Sequence, residues 1–232
     1  MRRLAEVGST NRVALDLARS GAPEGVVVVA SYQTAGRGRR GRAWEAAPGS
    51  SLLASVLLRP GLGADRLHLA VAAVALAAAD ACAAVAGFRP AVKWPNDLVV
   101  GDRKLAGVLA EATGEAVVVG VGLNVSAGGP WPAGAVAAEE VAGRPVAVDA
   151  LLDALLPALA ARLGRWEAVA SDYRRACATL GRAVRVETAD GCLDGTAADV
   201  SDDGHLLVDV GACVRTVAAG DVVHLRPAPA PG

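Results

Sequence analysis

Two short segments of this chain carry side chains whose types and spacing suit chemistry on an anion. The first is Gly36-Arg37-Gly38-Arg39-Arg40-Gly41-Arg42, with four arginines inside six residues. Arginine presents a planar, permanently charged fork to carboxylates and phosphates, while glycine lets the backbone approach a ligand and lets a loop move. Together they predict a mobile loop that closes over an anionic ligand. The spacing fits G-x-G-x-x-G, but no helix follows to aim its N-terminus at a pyrophosphate, and Gly-x4-Gly-Lys-Ser/Thr is absent. The bland alternative is a solvated arginine–glycine segment or a nucleic-acid patch. Its place directly after a buried-strand pattern, and not in a low-complexity tail, argues against that. The second segment is Lys93-Trp94-Pro95-Asn96-Asp97, followed by Arg103-Lys104-Leu105-Ala106-Gly107. Lysine, amide and carboxylate meet there at a strand–turn junction, and Lys104 opens the next strand, returning to the same end of the sheet. Read alone, Lys93 and Asp97 fit equally well as a surface ion pair beside a core Trp94.

The surrounding pattern supplies elements to hold these groups. Ser9, Thr10 and Asn11 are cap residues for a helix running to Ala18. Val26 to Tyr32 and Ser51 to Leu58 read as strands, the second closed by Arg59-Pro60-Gly61. Asp65 to Val85 is a long apolar helix ended by Gly87. Val92 to Val100 is a strand in which Pro95 demands an edge, a bulge or a turn. Leu105 to Ala112 and Ala116 to Val125 form a hairpin around Thr113-Gly114-Glu115. Gly120 and Gly122 interrupt its second strand, and glycine in a strand interior marks close approach of a ligand or another backbone. Val148 to Val169 is helical, with Pro157 expected to kink or split it. From Val184 to Leu225 short β runs alternate with turn signals at Ala189-Asp190-Gly191, Asp202-Asp203-Gly204 and Gly211-Ala212, the pattern of a small barrel. A boundary near Ala178 divides a domain 1–178 from a domain 179–226, and 227–232, rich in proline and alanine, is expected to be disordered.

Bulk properties exclude several classes. The chain has 232 residues and is 53% hydrophobic, which bounds it to one large globular domain with a small appendage. Its net charge of −1 gives no global attraction to nucleic acid or to an anionic membrane. Cys82, Cys177, Cys192 and Cys213 are scattered without CxxC spacing, so neither a zinc site nor a redox dithiol is signalled, and they read as reduced cytosolic thiols. Neither they nor His68, His205 and His224 form a metal-ligand spacing. His68 and Asp80 interrupt the apolar helix, which therefore reads as a core helix rather than a span of ~20 uninterrupted apolar residues. No secretory h-region follows Arg2-Arg3.

Five blocks, in order and spacing, resemble the biotin protein ligases. They are Gly8-Ser9-Thr10-Asn11, Gln33 to Trp44 with the arginine loop, Lys93-Trp94-Pro95-Asn96-Asp97, Lys104-Leu105-Ala106-Gly107 and Gly120-Val121-Gly122-Leu123-Asn124. The resemblance runs from about Ser9 to Leu225. It implies an α+β fold, with a central mixed or antiparallel sheet and helices on one side, the class II synthetase-like catalytic fold of biotin and lipoate ligases, and a small C-terminal SH3-like β-barrel. It implies a two-step reaction: biotin and MgATP give biotinyl-5′-AMP and pyrophosphate, then a carrier-protein lysine displaces AMP. ATP, Mg2+ and biotin are the small molecules required, with the magnesium held mainly by ATP phosphates and by no motif of the chain. The acceptor is a biotin carboxyl carrier domain of a carboxylase. No DNA or membrane partner is expected, the location is cytoplasmic, and either a monomer or a homodimer is compatible. Only eight residues precede Ser9, too few for the DNA-binding domain that some members carry.

The same resemblance assigns roles. Ser9, Thr10, Asn11 and Gln33 meet the bicyclic head of biotin, whose ureido group offers both donors and an acceptor. For Ser9 the plain alternative is a helix cap. Trp44 packs beneath biotin or the closed loop, or else in the core. Arg37, Gly38, Arg39, Arg40 and Arg42 fold over biotin and its adenylate. Lys104 bridges the biotin carboxylate and the α-phosphate and is the most important side chain; Arg39 and Asp97 are counted catalytic with it. Lys93, Asn96 and Asp97 line the adenylate and the access route of the acceptor lysine, Asp97 as a base or as a support for magnesium. Gly107, Gly120, Gly122 and Asn124 form the floor and the adenine edge. In Ser126 to Ala142, which does not align clearly, Trp131 either stacks on adenine or packs its own loop. Alternatives are lipoate or octanoate attachment, which shares the catalytic fold, and a nucleic-acid binding module using the arginine loop. The motifs disfavour the former and the charge balance the latter.

Overall fold

Branched and apolar runs build the central layer of the molecule. In this computed structural model, residues 1–188 and 191–225 are described. Seven strands, β1 (Arg2–Val7), β2 (Val27–Gln33), β3 (Ser51–Leu58), β4 (Ala91–Lys93), β5 (Asp97–Val100), β6 (Arg103–Thr113) and β7 (Ala116–Asn124), form one sheet in the order β1-β2-β3-β7-β6-β5-β4. Only the β1–β2 pair is parallel, which requires the crossover through helix α1 (Thr10–Arg19). The sequence pattern does not announce β1, because its residues are mostly exposed and do not alternate.

Every residue of β3 is buried, because both faces of the sheet are covered. On one face Val27, Val29, Leu52, Ala54, Val56 and Val119 pack with α2 (His68–Ala86) and α4 (Val148–Ala160). On the other, Val28, Leu57 and Val118 meet Ala14, Leu15 and Ala18 of α1. The large helices α2, α4 and α5 (Trp166–Ala176) therefore share one side, as expected, whereas the short α1 takes the other. α2 is apolar on every face. By length and composition it passes for a membrane span, but 78% of its apolar window is buried inside the protein, which makes it a core helix. The 148–169 helix does break, though not at Pro157: α4 continues to Ala160 with the proline inside, and the break falls before α5. A five-residue helix, α3 (Ala138–Ala142), was not foreseen.

The C-terminal segment forms a second, antiparallel sheet from β8 (Ala183–Thr188), β9 (Gly191–Val200), β10 (Leu206–Asp209), β11 (Val214–Val217) and β12 (Asp221–His224), in the order β11-β10-β9-β8-β12. No β11–β12 pairing closes it among the described residues. The expected turn at Ala189-Asp190 and the tail 227–232 lie outside the described residues.

The two sheets are joined through a buried ring cluster. Trp94, at the start of the Pro95-Asn96-Asp97 turn, is 1% exposed and donates from Nε1 to Gly204 O at 3.0 Å. His68 lies against both Trp94 and Tyr173, edge-on to the latter at 5.2 Å, and Tyr173 donates to Pro95 O at 3.0 Å. Burial, with repulsion from Arg39 and His205, pushes the His68 imidazole down to about 3 from its ordinary 6.5. Burial, Lys93 and Arg182 bring His224 down to about 4. Both rings are therefore neutral when folded and take up protons more readily when unfolded. Their stabilising effect is complete above pH 6.5 and is lost as the pH falls toward these lower values. Urea melts should show stability dropping below that pH at up to ~1.4 kcal/mol per pH unit from the fully buried His68, with a smaller, solvent-screened share from the partly exposed His224. His68→Leu should remove more than half of that slope between pH 6 and pH 5.

Candidate active site

The α1 face of the sheet carries two rows of paired residues that make the floor of a cleft. In the first row Ser55, Gly120 and Leu109 lie side by side across β3, β7 and β6. In the second, Leu53, Gly122, Gly107 and Asp97 lie side by side across β3, β7, β6 and β5. A Cβ on Gly120 would stand 2.2 Å from Asn11 Oδ1, and one on Gly122 would stand 2.4 Å from the Trp44 ring. The strand glycines thus make room for Asn11 and Trp44, which themselves line the cleft beside them.

Lys104 reaches this floor because of a bulge. Leu98 pairs with Ala106, but Val99 pairs with Lys104, so one residue of β6 is skipped. Strict alternation would put Lys104 on the face opposite Gly107. After the bulge it shares that face, and its Nζ lies 3.3 Å from where a Gly107 Cβ would stand. Leu105 and Ala106 are both fully buried as a result. Lys104 Nζ sits 2.7 Å from Asp97 Oδ1 and 5.7 Å from the centre of the Trp44 ring. Asp97 therefore pairs with Lys104 and not with Lys93, although Lys93 faces it across the β4–β5 pair.

At the helix end of the cleft the polar groups form a connected network. Gln33 Oε1 accepts from Thr10 N at 2.7 Å, with Thr10 Oγ1 3.0 Å away. Ser55 Oγ stands 2.7 Å from Thr10 Oγ1 and donates to Asn11 Oδ1 at 2.6 Å. Asn11 Nδ2 donates to Leu109 O and to Glu111 Oε2. Ser9 occupies the cap position of α1 without a side-chain capping bond, so its plain structural role is not realised.

The arginine loop is docked over this floor, held by ion pairs rather than by apolar packing. Arg37 pairs with Glu111 Oε1 at 2.9 Å. Arg39 donates to Asn96 Oδ1, to Gly220 O and to Asp221 Oδ1 at 3.2 Å, while Asn96 is tied to β6 through Val108 O. Burial pulls Arg39 below its usual range, and Asp221 opposes that. Arg42 meets Asp221 Oδ2 at 2.9 Å, and Arg40 reaches Asp221 Oδ2 and Glu187 O. Arg40 holds φ 53°, the one non-glycine positive φ among the described residues, at a cost of ~1–2 kcal/mol.

Of the residues expected in the site, Ser9, Thr10, Asn11, Gln33, Arg37, Gly38, Arg39, Trp44, Asn96, Lys104, Gly107, Gly120 and Gly122 line one cleft. Asn124, Trp44, Lys104 and Trp131 line a neighbouring pocket, so Trp44 and Lys104 border both. Trp131 also donates to Ser126 O, so it packs its own loop while lining the pocket. Three of the expected residues lie outside that cleft. Lys93 lies in a different cleft, with Asp102, Arg182 and His224. The guanidinium groups of Arg40 and Arg42 turn to the C-terminal sheet instead of lining the cleft. Sequence reading missed Ser55, Glu111 and Asp221. Ser55 was marked by being polar inside an apolar strand, and Glu111 by being charged in mid-strand. Nothing local marked Asp221.

Comparison with known proteins gives the family of the chain. Residues 4–126 match the model of the biotin/lipoate A/B protein ligase family, and residues 179–225 match the biotin protein ligase C-terminal domain. A biotin–[acetyl-CoA-carboxylase] ligase of Mycobacterium tuberculosis is 39% identical, over 96% of this chain and 88% of that protein. Its counterpart from Paracoccus denitrificans is 36% identical, over 94% of this chain and 98% of that protein. The structure of the Aquifex aeolicus biotin protein ligase in complex with biotin and ATP superposes with a TM-score of 0.84 at 25% identity, covering 97% and 98% of the two chains. The chain belongs to the biotin/lipoate protein ligase family, as a biotin protein ligase.

Exposed ion pairs contribute ~0.2–1 kcal/mol each, so the three arginines on Asp221 hold the loop by roughly 1–2 kcal/mol. Asp221→Ala should therefore speed trypsin cleavage after Arg39, Arg40 or Arg42 about ten-fold, with little change in Tm, because cleavage follows the open population. An unchanged cleavage rate would show that Asp221 does not hold the loop.

Proposed function

We propose that this chain activates biotin with MgATP and transfers it to a lysine of a biotin carboxyl carrier domain. The observation that carries the reading is Lys104. It stands between two pockets, beside Trp44, under an arginine loop. The cleft with Ser9, Gln33 and the glycine floor takes biotin, and the pocket with Asn124 and Trp131 takes the adenosine. Their junction is then where carboxylate and α-phosphate meet.

The first step joins two anions. A biotin carboxylate oxygen bonds to the α-phosphorus as the bond to pyrophosphate breaks. Cations fixed at that point stabilise the charge that builds up there. Lys104 and Arg39 serve the reacting groups directly. Asp97 holds Lys104 in place until a phosphate oxygen replaces it as partner. Arg40 and Arg42 act from the rim, through Asp221, to set the loop. Closure of the loop excludes water from the mixed anhydride. In the second step the acceptor amine bonds to the acyl carbon, AMP leaves and the amine loses its proton. No side chain of the protein is acylated, in keeping with a cleft lined by neither Cys nor His.

This reading places the division of the chain near residue 178 and the enzyme in the cytoplasm, where its four free cysteines would stay reduced. Biotin-dependent exchange of pyrophosphate into ATP tests the activity; exchange with lipoate and not with biotin would overturn it. Lys104→Ala should lower exchange by about 1,000-fold or more while leaving the fold intact, since its side chain is 39% exposed. Near-normal exchange would show the lysine to be misassigned. Gly122→Ala, whose methyl collides with Trp44, should raise KM for biotin about ten-fold or more with a smaller effect on KM for ATP.

A further inference from the structure

Glu111 lines neither pocket, yet its carboxylate joins two parts of the site. It lies on β6, on the same face as Gly107 and Leu109, two residues beyond the floor. Oε2 accepts from Asn11 Nδ2 at 2.9 Å, and Oε1 takes Arg37 Nη1 at 2.9 Å. Its side chain is 21% exposed, against 52% for Arg37, so the arginine leans on a fixed, partly buried anchor.

We infer that Glu111 is a positioning residue for the biotin end of the cleft, an inference that rests on the ligase reading. An ionised carboxylate can only accept hydrogen bonds. It therefore forces Asn11 to present its NH2 toward β6 and its Oδ1 toward Ser55, which donates to it. Ser55 in turn contacts Thr10, whose N–H occupies Gln33 Oε1. With Oε1 taken, Gln33 offers its Nε2 donors to a ligand acceptor, and the ureido oxygen of biotin is such an acceptor. The other carboxylate oxygen keeps Arg37 at the mouth of the same cleft. One side chain thus sets both the orientation of the donor network and the position of the first arginine of the loop. Asn11 without Glu111 keeps only Leu109 O as acceptor for its NH2, at 3.2 Å.

Steady-state pyrophosphate exchange with wild type, Glu111→Ala, Glu111→Gln, Arg37→Ala and the Glu111→Ala/Arg37→Ala pair tests this. Glu111→Ala should raise KM for biotin about ten-fold and move KM for ATP less than about two-fold. Glu111→Gln still accepts from Asn11 but carries no charge for Arg37, so it should fall between wild type and Ala. The double variant should resemble Glu111→Ala, because Arg37 has already lost its anchor. If Glu111→Ala does not fold, Glu111→Gln decides: a KM for biotin raised about three-fold at constant KM for ATP supports the inference. Unchanged KM for biotin in the variants, or parallel rises in both KM values, overturns it. Absence of biotin-dependent exchange in the wild type would overturn the ligase reading itself, and this inference with it.

Discussion

The site depends on keeping cations together before any anion arrives. Arg37, Arg39, Arg40, Arg42 and Lys104 converge on one region, and two like charges ~5 Å apart repel by about 3 kcal/mol at an effective dielectric of ~20. The fold meets this by giving them carboxylates from separate elements. Glu111 on β6 takes Arg37, Asp97 on β5 takes Lys104, and Asp221 on β12 takes the other three arginines. Glu111, Asp97 and Asp221 are less exposed than Arg37, Lys104, Arg40 and Arg42, so those cations have more room to turn than their anchors, whereas Arg39 is as buried as Asp221. These pairs are strong enough to order the groups and weak enough for a phosphate or carboxylate to displace them.

A second constraint is shape. A flat sheet surface with side chains on every residue has no room for an indole and an amide lying against it. Omitting side chains at Gly120 and Gly122 sinks Asn11 and Trp44 into the sheet, and the cleft forms above and between them. The cost in strand propensity is offset by burial of Trp44 against backbone. Trp44 Nε1 remains buried without an acceptor, a donor that a ligand oxygen can satisfy.

The small C-terminal sheet enters the site from outside. Gly204, between β9 and β10, fits against His68 and receives Trp94, while the start of the edge strand β12 brings Gly220 and Asp221 to Arg39. Trp94 starts the turn that delivers Asn96 and Asp97, so the packing that joins the domains also sets the floor. Loop and floor are thereby referred to the same pair of packed sheets.

Much of this was legible in the residues themselves. Apolar runs with turn residues between them mark most of the strands, and the clustered arginines and the Lys-Trp-Pro-Asn-Asp block mark the chemistry, because charge type and backbone freedom are local properties. β1 was hidden, since an exposed edge strand needs no alternation. Residue order also fails to tell which cation meets which anion. Lys93 and Asp97 look like partners, yet Asp97 turns to Lys104, and Arg40 and Arg42 turn to a residue about 180 positions away in the other domain. The bulge in β6 decides the rest. Alternation alone puts Lys104 on the buried helix side, and only the pairing of β5 with β6, which skips one residue, brings its amine onto the face where the glycines have opened a cleft. Side-chain direction in a sheet is a property of register, and register is set between strands, not within one.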